Sequence, residues 1–256
     1  MRVEILADAN AVAKRAAEFI AAEAFAAVGE RGLFTLAVSG GHTPWIMLRA
    51  LATKDIPWKS IQIFRVAERS APAGDPERNL TQLREILMER APLPTENLHA
   101  MPVESTDPVG AAREYSAMLR QIAGGPAVLD LVHLGTGPDG HTASLVPGDP
   151  VLRVTDEDVA LTSLCLGRRR MTLTFPMINR ARRVLAGHRQ GEGSAPRPVA
   201  RWRQVHTCGM RAAGNRSAHR GYSGGGLRAA TVAFEGKGFS RIANTRTRDS
   251  KEQRCV

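Results

Sequence analysis

Apolar positions along the chain alternate between short continuous runs and longer stretches with a helical period. Residues 2–6 form a strand-like run. Residues 10–28 are Ala-rich with apolar positions at helical spacing, and Gly29 and Gly32 bracket their end, which predicts a long helix. A buried-strand run follows at 33–38. Thr43 suits a helix N-cap and Pro44 the first helical position, predicting a helix from there to 51. The same reading predicts strands at 61–66, 98–101, 128–134 and 171–174. It predicts helices at 79–89, 110–122 and 176–183. Strands alternating with helices give an α/β fold, a Rossmann-like parallel sheet with helices on both faces.

After residue 184 the pattern stops. The remainder is rich in Gly, Arg, Ser and Ala, with no sustained period of either kind. The reading is an α/β domain over 1–184 and a basic, disordered tail over 185–256. The last strands and a covering helix of the sheet are then incomplete, leaving a bare edge.

The candidate chemistry lies where strands end. Ser39-Gly40-Gly41-His42-Thr43 joins a strand to a helix. Free backbone N–H groups and the positive helix end make such a junction a phosphate site, and a plain tight turn is the other reading. It is neither a Walker A loop nor the dinucleotide fingerprint, because the Gly-Lys-Ser/Thr and Gly-x-Gly-x-x-Gly patterns are missing. The run from Gly135 to Gly148 follows the strand at 128–134 and carries Asp139 and His141. A parallel sheet usually binds ligands at that end of its strands. His141 is the candidate general base, since histidine titrates near neutrality. A common Asp-Gly turn beside a packed histidine is the competing reading. Arg69, after Ala67-Glu68, could hold an anion through its planar fork or belong to a solvated charged pair. Arg170 has the same two readings. His42, His99 and His133 read as structural or exposed. No nucleophile elbow and no metal-ligand spacing accompanies His141.

Composition changes the picture in two ways. Cys165, Cys208 and Cys255 are scattered, which suits a reducing cytoplasm and argues against a disulfide framework. No apolar run approaches a membrane span and no secretory pattern opens the chain, so a cytoplasmic protein without a membrane partner is expected. The net charge of +10 lies wholly in the tail, where twelve Arg and two Lys face four acidic residues. Residues 1–184 are therefore neutral on balance. The tail has no recognisable nucleic-acid fold, which disfavours a nucleic-acid partner.

Taken in order, these pieces resemble the 6-phosphogluconolactonase family, which shares a superfamily with glucosamine-6-phosphate isomerase/deaminase. The resemblance rests on Leu-Ala-Val-Ser-Gly-Gly-His-Thr-Pro at 36–44, on Trp58 with the strand after it, and on Glu68-Arg69 and Asn79. The runs 135–148 and 170–174 complete it. Ala-Ser-Leu-Val-Pro-Gly at 143–148 matches the lactonase version, where the deaminase version has an Asn-Glu-Pro segment. The resemblance implies hydrolysis of 6-phospho-D-glucono-1,5-lactone to 6-phospho-D-gluconate in the pentose phosphate pathway, with a sugar phosphate as the partner and no cofactor or metal. It implies His141 as base and Asp139 as its orienter. Ser39, Gly40, Gly41, Thr43, Arg69 and Arg170 would hold the phosphate. Backbone N–H groups of Gly135, Gly137 and Gly140 would hold the oxyanion. An aminosugar-phosphate isomerase/deaminase, or a degenerate sugar-phosphate-binding protein, are the alternatives.

Two departures stand out. The family pattern is Asp-Glu-Arg where this chain has Ala67-Glu68-Arg69, and the resemblance implies that the Asp belongs to the site. The family's later Val-Thr-Gly strand and its phosphate-contacting Lys are also missing. Rereading the codons of 185–195 one nucleotide later, with free synonymous choice, can yield Trp-Pro-Val-Thr-Gly-Lys-Glu-Lys-Ala-Pro. The tail thus reads as out of frame, against the alternative of a genuine basic tail.

Overall fold

The computed structural model describes residues 2–137, 139–164, 167–189 and 230–235. Helix α1 (Ala9–Arg31) begins where the Asp8 carboxylate accepts the Ala11 N–H at 2.8 Å. It ends at Gly32, whose φ of 73° closes the last turn and whose N–H reaches Val28 O. Val12, Ala16, Ile20, Ala24 and Ala27 recur on one face and are buried. Mostly alanine, that face lies close against the sheet and against α2 (His42–Ala52). Helix α3 (Asn79–Leu87) matches the expected start at 79. Helix α4 (Pro108–Ala123) starts two residues before the expected 110, because Asp107 caps Gly110 N–H and Pro108 takes the first turn. Helix α5 (Phe175–Arg180) is capped by Thr174.

The main sheet has seven strands: β1 (Arg2–Leu6), β2 (Phe34–Val38), β3 (Ile61–Arg65), β5 (Leu98–His99), β6 (Leu131–Gly135), β9 (Arg183–Arg189) and β10 (Ala230–Glu235). Their order is β1-β10-β9-β6-β2-β3-β5, and the five from β9 to β5 run parallel. β10 pairs antiparallel with β1 on one side and β9 on the other. A small second sheet joins β4 (Ala67–Arg69), β8 (Arg170–Leu173) and β7 (Val159–Leu161) in antiparallel pairs.

Both faces of the parallel strands are covered, as their continuous apolar runs require. Leu36, Val38, Ile61, Ile63, Leu131 and Leu185 point into a core shared with α1, α2 and α3. Ala37, Phe64 and Val132 point the other way, to a core shared with α4, α5 and the small sheet. Each such side chain contributes about 1.5–3 kcal/mol when fully buried.

Residues 67–69 form a strand separate from β3. Val66 donates its N–H to Val38 O (3.1 Å) and accepts Leu173 N–H (2.8 Å), so the chain turns there from one sheet into the other. One expectation is corrected: the ordered fold does not stop at 184. β9 crosses that boundary beside β6, with Leu185 fully buried on one face and Val184 and Ala186 packed on the other. β10 occupies the edge expected to be bare. The rest of the tail lies outside the described residues. Among the described residues no helix is long and apolar enough to cross a membrane.

Candidate active site

The carboxyl ends of β2 and β6 lie side by side, and one serine joins them. Ser39 Oγ donates to His133 O (3.0 Å) and accepts Gly135 N–H (3.1 Å). Its hydroxyl is therefore committed to the sheet, and Ser39 positions the junction rather than presenting a side-chain ligand. Helix α2 starts two residues earlier than expected, at His42, with Gly41 as its cap. Thr43 sits inside the first turn and borders a cavity of about 10 Å³ with His133 and Gly187. Gly41 supplies no side-chain acceptor, so the first-turn N–H groups of α2 remain for an external anion. At Gly40 a Cβ would overlap Asn79 Oδ1, so the Asn79 carboxamide lies directly on that glycine.

The turn after β6 carries Asp139 and His141 as expected. His141 Nδ1 stands 2.5 Å from Asp139 Oδ1, and the His141 N–H reaches the same oxygen at 3.1 Å. Burial opposes ionisation of Asp139, but these two hydrogen bonds outweigh it and hold the carboxyl below its ordinary range. The imidazole folds over Gly137, where a Cβ would overlap its Cε1 and Nδ1. Thr142 Oγ1 donates to Gly135 O (2.9 Å), and Ser144 N–H donates to Thr172 Oγ1 (3.2 Å), which ties the turn to β8.

The expected oxyanion donors are not available. Gly135 N–H bonds Ser39, Gly137 N–H bonds His141 O (2.9 Å), and Gly140 N–H bonds Gly137 O (3.0 Å). The turn spends all three on its own geometry.

Arg69 and Arg170 stand opposite each other in the β4–β8 pair. Arg69 Nη1 donates to Glu77 O (3.0 Å). Burial first, then the Arg69 charge, pull the Arg170 pKa below the usual guanidinium value, while Asp139 opposes that shift. The two cations and the Asp139–His141 pair are thus electrostatic neighbours. Glu68 is not the solvated partner that its position suggested. It is almost fully buried. Its Oε1 accepts the N–H groups of Arg69 and Asn79 (both 3.0 Å), and its Oε2 accepts that of Leu80 (2.8 Å). Behind it lies Arg65, fully buried, 3.9 Å from Glu68 Oε2 and 5.7 Å from the Trp45 ring centroid. Arg65 Nε, Nη1 and Nη2 have no hydrogen-bond partner among the described residues. Of the other histidines considered, His42 is exposed, His99 bonds Gln62 Oε1 (2.6 Å), and His133 is buried in β6.

The family described as "Glucosamine-6-phosphate isomerases/6-phosphogluconolactonase" matches residues 7–197. The chain belongs to this family. It is 36% identical to the 6-phosphogluconolactonase of Synechocystis sp. over 206 residues, 76% of this chain and 85% of that protein. It is 35% identical to that of Nostoc sp. over 187 residues, 72% of this chain and 78% of the relative. The solved 6-phosphogluconolactonase from Thermotoga maritima superposes with a TM-score of 0.59 at 28% identity, covering 66% of this chain and 76% of that one. Within the lactonase/isomerase family pattern, Ala67 is the departure closest to the site. It is buried on β4, on the same strand face as Arg69, so the missing carboxylate would point the way that guanidinium points.

Sequence reasoning missed Glu68 as a buried ligand of three N–H groups, the seating of Asn79 on Gly40, and Thr172 as the anchor of the catalytic turn. Nothing local marks them. Apart from the bond of Glu68 to the neighbouring Arg69 N–H, the contacts span 11 residues or more, and only the β4–β8 pairing and the packing of α3 bring the partners together.

Proposed function

We propose that this chain hydrolyses 6-phospho-D-glucono-1,5-lactone to 6-phospho-D-gluconate, as a carboxylic ester hydrolase of the pentose phosphate pathway. The observation that carries the reading is the His141–Asp139 pair, 2.5 Å apart, set beside the open α2 N-terminus and the Arg69–Arg170 pair. With Nδ1–H directed to Asp139, Nε2 is the nitrogen left to accept a proton. Nε2 takes a proton from water as the water oxygen bonds to the lactone carbonyl carbon. The tetrahedral adduct then collapses, the bond to the ring oxygen breaks, and the imidazolium returns the proton to that oxygen. The new carboxylic acid releases its own proton to solvent. Because the three glycine N–H groups are engaged, the oxyanion falls to a side-chain donor. This reading assigns that role to Arg170, whose guanidinium feels the Asp139 charge. Arg69 and the first-turn N–H groups of α2 take the phosphate.

The test is product identity. Purified protein given the lactone should form 6-phosphogluconate faster than the spontaneous background. Given glucosamine 6-phosphate it should release no ammonia. Ammonia release without lactone hydrolysis would replace the reading with the isomerase/deaminase one.

A further inference from the structure

Glu68 is placed to do more than close a helix. We propose that it is a positioning residue that assembles the phosphate cradle, an inference that rests on the site reading above. One oxygen holds the N–H of Arg69, and so the end of β4 from which that guanidinium projects. The same oxygen holds the N–H of Asn79, and the other holds that of Leu80, which are the first two residues of α3. Helix α3 has no side-chain cap of its own, since Arg78 at its N-cap makes no capping bond. Glu68 supplies that acceptor from another element, with the negative charge that a helix N-terminus favours. The consequence reaches the junction after β2. Asn79 is the residue whose carboxamide lies on Gly40, the start of the phosphate loop. One buried carboxylate therefore fixes the relative placement of the Arg69 fork, the Asn79 amide and the Gly40-Gly41 backbone, three groups from three elements that face one anion.

This differs from a purely structural cap in what it predicts. A structural cap sets stability alone. A positioning residue sets affinity for the phosphate and leaves the reacting end untouched. Glu68→Gln keeps an Oε1 acceptor for Arg69 and Asn79 but turns an NH₂ toward the Leu80 N–H. Glu68→Ala removes all three acceptors.

The full chain carrying Glu68→Ala, Glu68→Gln or Asn79→Ala is compared with Leu119→Ala, a fully buried α4 residue outside the site. Melting temperature, KM and kcat for the phosphorylated lactone and for unphosphorylated glucono-1,5-lactone, and the Kd of inorganic phosphate by calorimetry are measured. Glu68→Ala should raise the phosphate Kd and the KM for the phosphorylated lactone about tenfold, the scale of one lost charge-assisted hydrogen bond. Its kcat, and its use of the unphosphorylated lactone, should stay near wild type. Glu68→Gln should fall between, and Asn79→Ala should move KM in the same direction. Leu119→Ala should lower the melting temperature without that split. The proposal is overturned if the Glu68 variants lose melting temperature with an unchanged phosphate Kd, or if both lactones suffer equally. If wild type hydrolyses no lactone, the functional reading fails while the phosphate titration still decides this one. A wild type that binds no phosphate overturns it. Should Glu68→Ala not fold, Glu68→Gln and Asn79→Ala carry the same comparison.

Discussion

His141 turns Nδ1 toward Asp139, and its ring lies flat on Gly137. The geometry of this pair thus depends on a residue with no side chain. Gly137→Ala puts a methyl group into the space of Cε1 and Nδ1, and the ring must leave. The expected outcome is a loss of kcat of about 10²-fold or more, as for a misplaced catalytic group, with the melting temperature changed little because the turn is exposed. Circular dichroism melts beside steady-state kinetics check it. At this scale the sequence was a good guide to identity and a poor one to role. His141 and Asp139 were legible because they are two residues apart on one turn. Ser39 and the three glycines were candidates for the site, but Gly135 bonds Ser39 across two strand ends while Gly137 and Gly140 bond within the turn. A hydroxyl and three N–H groups that looked ready for ligand are used within the fold instead.

Strand β4 and helix α3 carry the proposed phosphate side of the site, and Arg65 lies behind Glu68. Three guanidinium nitrogens without a hydrogen-bond partner among the described residues, in a fully buried side chain, carry a desolvation cost that one carboxylate at 3.9 Å and one indole at 5.7 Å offset only in part. Glu68 keeps its three N–H donors whether or not Arg65 is charged. Arg65→Met removes one partner and leaves the buried Glu68 carboxylate without its cation, so it should lower the denaturant midpoint by an amount worth about 3–5 kcal/mol. An unchanged or higher midpoint would show that the burial cost of Arg65 outweighs its attraction to Glu68. Ala67 belongs to the same strand. Ala67→Asp restores the family pattern on the strand face of Arg69, and kcat/KM for the lactone should rise. The main strands and helices were legible from apolar period alone. β4 and β7 were not, because three residues are too few to show a period and their pairing with β8 is long-range.

For the molecule as a whole, buried histidine couples stability to pH. Burial first, and the Arg65 charge second, push the His133 pKa from 6.5 down to about 4. The unfolded chain then binds more protons than the folded one between those values, so stability is full above pH 6.5 and falls as pH drops toward 4. The shift corresponds to about 3 kcal/mol over that window. His99, lowered by burial, adds in the same direction. Urea midpoints at pH 7.5 and pH 5 should differ accordingly, and His133→Asn should flatten the difference. The same scale shows where composition misled. Counting charges and glycines after residue 184 hides a strand that starts at Arg183, where Leu185 is buried on one face and Val184 and Ala186 are partly buried on the other. A central parallel strand needs no alternation, so no polar–apolar pattern announces it. Fold, junctions and turn converge on one claim, that His141 is the base of a sugar-phosphate lactonase. The direct measurement is kcat on 6-phospho-D-glucono-1,5-lactone for wild type and His141→Ala, corrected for spontaneous opening. The account predicts a fall of about 10²–10⁴-fold with the fold intact. A His141→Ala protein with wild-type turnover would contradict it.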